Sequence, residues 1–140
     1  PFGLMHLDLD FFKQINDSLG HAAGDHVLRE VARILTEETR TTDLVARVGG
    51  DEFVMVFPGQ IEAAPFSQIA DRIIARLSQP MWYETQACQI AGSIGMVLSA
   101  AYPDPQIEQM HADADDALYA SKRAGRSRAT LFPAQAPVVS

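Results

Sequence analysis

Asp8 and Asp51 are the residues of this 140-residue chain whose surroundings point most directly to chemistry. Asp8 stands where the apolar run Phe2–Leu9 would emerge as a buried strand, and Asp51 follows the dipeptide Gly49-Gly50, which suits a tight two-residue hairpin. If the first strand lies beside that hairpin, both carboxylates project from one edge of a sheet. Two acids held close repel each other unless a cation joins them. Hard divalent ions accept carboxylate and backbone oxygens and keep positions open for phosphate. Carboxylates holding two metals about 3.5–4 Å apart are a known arrangement for in-line attack at phosphorus. The plain alternative has Asp8 capping the next helix and Asp51 serving only the turn.

Other residues bear on the same chemistry. Gly49 and Gly50 have no side chains, so phosphates can approach that backbone. Lys13 lies about one turn beyond Asp10, and Lys122 and Arg126 are four apart near the end of a helix, so they share a face. Lys122 and Arg126 could meet triphosphate oxygens, Arg126 with a bidentate fork. Each alone is more often a solvated surface charge. Asn16 and Asp25 flank a polar stretch with Gly20 and Gly24. An amide beside an acid can read guanine's O6 acceptor and its N1–H and 2-amino donors, which adenine does not offer. The plain reading is a turn Asn and a helix N-cap Asp.

These residues need elements to hold them. Phe2–Leu9 reads as a strand buried on both faces, followed by a short helix through Phe11, Phe12 and Ile15. Val27, Leu28, Val31 and Leu35 give the helical period over about 25–39. Two strands, 44–48 and 52–57, flank the glycines. Phe66, Ile69, Ala70, Ile73, Ile74 and Leu77 mark the clearest helix. Strands around 81–84 and 88–99 look like a second antiparallel pair. Asp104 and Pro105 supply the start of a helix that Gly125 stops, and 130–132 reads as a last edge strand. The order β-α-α-β-β-α-β-β-α-β predicts an α+β domain with helices flanking a central, largely antiparallel sheet. Residues 1–132 form the domain, and 133–140 has the composition of a linker or tail.

Composition excludes several classes. Eighteen acidic against eleven basic residues give a net charge of −7, and the pI is about 4.9, so nucleic acid is not an expected partner. One cysteine, Cys88, permits no internal disulfide and reads as a small buried strand residue. No apolar run approaches the ~20 residues of a membrane span, so no direct membrane contact and a cytoplasmic location are expected, with a membrane-tethered parent protein left open. The chain opens at Pro1 inside a strand, which reads as a piece of a longer protein. His6 reads as a core or interface histidine, His21 as shaping its loop, and His26 and His111 as lacking partners at metal-ligand spacing.

Arg47-Val48-Gly49-Gly50-Asp51-Glu52-Phe53 resembles the signature of the GGDEF domain, the diguanylate cyclase module. The segment from Asp8 through Phe11-Phe12-Lys13 and Asn16 to Asp25 resembles a second family motif with matching spacing. Ser93-Ile94-Gly95 and the stretch from Ala114 to Arg126 resemble later ones. The likeness runs from Leu4 to about Leu131. It implies a fold like that of nucleotidyl cyclases and polymerase palms, with a ferredoxin-like core. It implies condensation of two GTP into cyclic di-GMP, with two Mg²⁺ or Mn²⁺ ions per site held by Asp8, Asp51 and the carbonyl of Leu9. Asp51 would be general base and Glu52 would assist at the metal. Asn16 and Asp25 would read guanine, while Lys13, Lys122 and Arg126 would steady phosphate charge. Phe11 and Phe12 would offer backbone amides with their rings packed inward. Arg40-Thr41-Thr42-Asp43 matches the family's product-inhibition motif, with Arg72 as a third contact.

The resemblance also implies a homodimer for catalysis and an upstream sensory domain. The family's usual segment before the first strand is missing here, which reads as N-terminal truncation, and Ser127 stands where many members carry Asn. A silent domain that binds GTP or cyclic di-GMP is the alternative.

Overall fold

The computed structural model describes residues 1–133, so the proposed tail from Ala134 onward lies outside the described residues. The chain runs β1 (Phe2–Asp10), α1 (Phe12–Leu19), α2 (His21–Glu37), β2 (Leu44–Gly49), β3 (Glu52–Pro58), α3 (Ala63–Leu77), β4 (Met81–Tyr83), β5 (Gln86–Cys88), β6 (Ala91–Leu98), a 3₁₀ turn (Ser99–Ala101), α4 (Ile107–Arg123) and β7 (Ala129–Leu131). The main sheet has the order β2-β3-β1-β6-β7 and is antiparallel except for the β6–β7 pair. The fold is α+β, as the order of elements predicted.

β1 lies at the centre of the sheet, and its alternation divides the molecule into two faces. Met5, Leu7 and Leu9 enter the large core with Val27, Val31, Leu35, Phe66, Ile73 and Leu77 of α2 and α3. Leu4 joins Met110 and Ala114 of α4 on the opposite face. The even residues of β1 then turn polar towards its C-terminal end, in the order His6, Asp8, Asp10. α4 and the turn after it meet them in the same order, through Asp115, Lys122 and Ser127. Gly95 permits this close approach, because a Cβ there would run into the backbone of Ala114 and Leu118.

Four boundaries differ from the sequence reading. Gly49 is the last residue of β2 and pairs with Glu52, so the two turn residues are Gly50 and Asp51 rather than Gly49 and Gly50. Gly24 and Asp25 belong to α2, which begins at His21, because the small residues Ala22, Ala23 and Gly24 allow the helix to start beside Asn16. The expected strand pair after α3 divides at Gln89. β4 and β5 form their own small sheet, while β6 pairs with β1. α4 begins at Ile107 after Gln106, so Asp104 does not cap it. None of the described helices is long and apolar enough to cross a membrane.

Candidate active site

The sheet register brings the two acids together. Asp8 faces Glu52 across the β1–β3 pair, and the next backbone bond, Leu9 N–H to the Asp51 carbonyl at 3.0 Å, ties the end of β1 to the hairpin turn. One carboxylate oxygen from each of Asp8, Asp51 and Glu52 lies within 4.8 Å of the others. Asp8 and Asp51 are half-buried and Glu52 is exposed, so the cluster opens to solvent on one side. The sheet edge and the tight turn therefore deliver the convergence that the spacing of Asp8 and Asp51 implied.

Its electrostatics favour a cation. Lys122 Nζ lies 2.5 Å from Asp8 Oδ2, while Asp8 Oδ1 is buried and accepts no hydrogen bond from any described residue. A buried carboxylate oxygen left without a partner is costly. Burial, then the neighbouring charge of Asp8, hold the Asp51 carboxyl above the usual aspartate range. A single lysine against three carboxylates leaves excess negative charge, and every available ligand atom is a hard oxygen. A divalent cation such as Mg²⁺ or Mn²⁺ fits that donor set.

Asp10 has a part in the site that sequence reasoning did not assign. Its side chain is fully buried; Oδ2 accepts from Ser93 Oγ at 2.7 Å and from the Ser127 N–H at 3.4 Å, and Oδ1 lies 3.6 Å from Arg126 Nε. Arg126 and Ser127 have φ of 64° and 50°, a left-handed pair that neither residue type favours. Asp10 thus anchors the strained turn that carries Arg126. The available signal was its spacing of two from Asp8, which puts both acids on the α4 face of β1.

The remaining predicted residues divide. Asn16 lies against Gly24, where any Cβ would overlap its side-chain amide, and Asp25 is exposed on the following turn of α2. Phe12 is buried, but the Phe11 ring is 50% exposed, contrary to the expectation that both rings pack inward. Phe11 stands between β1 and α1 in a left-handed conformation with φ 69°, and its side chain turns out of the core. Lys13 stands exposed in the first turn of α1. Among the described residues, Lys122 and Arg126, not Lys13, form the ion pairs with Asp8 and Asp10. His111, which had no partner at metal-ligand spacing in the sequence, meets His6 across the fold.

Arg40 and Asp43 pair with each other through Nη2 at 2.9 Å, and the Asp43 carboxylate also accepts the Arg40 backbone N–H at 2.8 Å. They line an open cleft of about 360 Å³ with Thr36, Thr39 and Val45. Arg72 is held by Glu38 at 3.6 Å.

Residues 1–128 match the family model described as diguanylate cyclase, GGDEF domain. The chain belongs to the GGDEF family. Over 94% of its length it is 40% identical to the probable diguanylate cyclase DgcE of Escherichia coli, and over 91% it is 40% identical to diguanylate cyclase A of Treponema denticola. It spans only 12% and 34% of those proteins. Among solved structures, the GGDEF domain of YfiN (TpbB) from Pseudomonas aeruginosa superposes with a TM-score of 0.87 at 37% identity, covering 96% of this chain and 83% of that one. The GGDEF domain of DgcB from Caulobacter crescentus, in complex with c-di-GMP, gives 0.84 at 32% identity, covering 93% and 77%. In this GGDEF domain the signature acids Asp51 and Glu52 are those that converge with Asp8.

Proposed function

We propose that this GGDEF domain is the catalytic part of a diguanylate cyclase that acts in the cytoplasm and joins two GTP molecules into cyclic di-GMP. The observation carrying the reading is the convergence of Asp8, Asp51 and Glu52 around a buried, unpartnered carboxylate oxygen. Each domain would hold one GTP, and two domains would face each other. Each ribose 3′-oxygen would attack the partner's α-phosphorus. The bond from that phosphorus to the pyrophosphate oxygen would break, and two pyrophosphates would leave.

A bound pair of divalent cations would neutralise phosphate charge and favour ionisation of the attacking hydroxyl. Asp8, Asp51 and the Leu9 carbonyl would hold them. Asp51 would accept the 3′-hydroxyl proton. Glu52 would assist at the phosphate end. Lys122 and Arg126, with Lys13, would steady charge on the leaving pyrophosphate. Backbone amides at Phe11 and Phe12 and the bare backbone at Gly49 and Gly50 would admit the phosphates. Asn16 and Asp25 would select guanine. Product would return to Arg40 and Asp43, with Arg72 as a further contact, once Arg40 releases the Asp43 carboxylate. A sensory domain upstream in the parent protein would control dimerisation.

The test is incubation with GTP and Mg²⁺ followed by chromatography, using the domain alone and fused to a dimerising leucine zipper. Cyclic di-GMP should form, more in the fused version. Its absence from both, with cyclic di-GMP or GTP still bound, would favour the silent-sensor alternative.

A further inference from the structure

On the α4 face of β1, one residue pair before the acid cluster, lie three side chains that the proposed mechanism does not use. His6 Nδ1 is 2.5 Å from Asp115 Oδ1, and His6 Nε2 is 2.8 Å from His111 Nδ1. His6 is buried at the middle of the central strand. His111 and Asp115 are four apart on α4, so they project from one face of that helix. Both elements are regular secondary structure, a paired central strand and a 17-residue helix. The three residues line an open cleft of about 320 Å³ whose walls also include Val48, Glu52 and Leu118.

Asp115 accepts the Nδ1 proton of His6 and thereby fixes its tautomer, which leaves the Nε2 lone pair aimed at His111. A carboxylate behind an imidazole, with the far nitrogen unprotonated, is the arrangement that orients and strengthens a metal-binding histidine. The second nitrogen, Nδ1 of His111, donates its proton to His6 in this arrangement and gives that proton up to solvent when an ion binds. Two imidazoles on one zinc ion, each about 2.0–2.1 Å from it in tetrahedral geometry, stand roughly 3.3 Å apart. The two nitrogens point at each other across their hydrogen bond, so a shift of about half an ångström together with a turn of the half-exposed His111 ring would let both lone pairs converge on an ion. The cleft leaves room for water to complete the coordination.

We propose that His6 and His111, backed by Asp115, form a second metal site distinct from the acid cluster, selective for Zn²⁺ or another imidazole-seeking divalent ion. Ligand chemistry separates the two sites. The all-oxygen cluster of Asp8, Asp51 and Glu52 suits Mg²⁺, whereas a nitrogen pair suits Zn²⁺, Ni²⁺ or Cu²⁺. The site does not depend on the cyclase reading, since a domain that never turns over GTP would still bind the ion.

Calorimetric titration of the whole domain with Zn²⁺, in excess Mg²⁺ to fill the acid cluster, tests it. One saturable equivalent is expected. His111→Asn should weaken binding by more than about tenfold and Asp115→Asn by about tenfold, while Asp51→Asn should leave it unchanged. A circular dichroism spectrum establishes that His111→Asn, at a half-exposed helix position, is folded. Absence of saturable binding, binding that survives His111→Asn, or equal loss in Asp51→Asn and His111→Asn would overturn the proposal.

Discussion

At the scale of single residues, Asp51, which the proposed reaction uses, is costly to the fold at neutral pH. Its carboxyl is held above the usual range by burial and by Asp8, so the folded chain binds this proton more readily than the unfolded chain does. The corresponding stability is present below the ordinary aspartate pKa and is lost as pH rises through the raised value. Asp51→Asn should therefore raise the melting temperature of the chelator-treated domain at neutral pH by roughly a few degrees. The gain should fade below about pH 4. The same substitution should lower cyclic di-GMP synthesis by at least ~10²-fold. Equal melting shifts at both pH values would contradict the electrostatic account. Asp8 and Asp51 were legible in the sequence because each sits at a recognisable strand end or glycine turn. Asp10 was not, because its partners Ser93 and Ser127 come from β6 and the turn after α4, far away in the chain. Asp10→Asn should leave guanine binding in place but raise KM for GTP about tenfold through a misplaced Arg126. Titrations with GTP and with guanosine separate those effects.

At the scale of elements, two close approaches set the site. α4 delivers Lys122 to Asp8 only because residue 95 has no side chain. Gly95→Ala should cost about 3 kcal/mol, measured by denaturant unfolding, since both obstructing groups are helix backbone. A loss below about 1 kcal/mol would mean that the helix yields more easily than its packing implies. Gly24 plays the matching part between α1 and α2, where it receives Asn16. The sequence reading left Gly24 in the polar stretch before a helix over about 25–39, and glycine weakens helices. Packing against Asn16 overrode that propensity. The periodic helix α3 and the alternation of β3 were legible, since burial on one face leaves a repeating pattern. The division of β5 from β6 was not, because the apolar stretch from Cys88 onward has no glycine or proline at the break.

At the scale of the whole molecule, one domain would offer half of the proposed two-nucleotide reaction. Turnover per domain should therefore rise with protein concentration and flatten once dimers form, as initial rates over a wide dilution series would reveal. The proposed product feedback belongs to this scale too. Arg40→Ala should raise the inhibitory concentration of cyclic di-GMP at least about tenfold, because a charge-assisted contact is lost. The α+β class and the sheet core were readable from element order. The placement of α4 beside the even residues of β1 was not, since it depends on the sheet order β2-β3-β1-β6-β7. The central claim is that the acids at the end of β1 and in the β2–β3 turn grip divalent cations under a nucleotide. Titration with Mn²⁺ in the presence of GTP, followed by electron paramagnetic resonance, reads it directly. The account predicts that bound Mn²⁺ is abolished or weakened at least about tenfold in both Asp8→Asn and Asp51→Asn; unchanged Mn²⁺ binding in the two variants would contradict it.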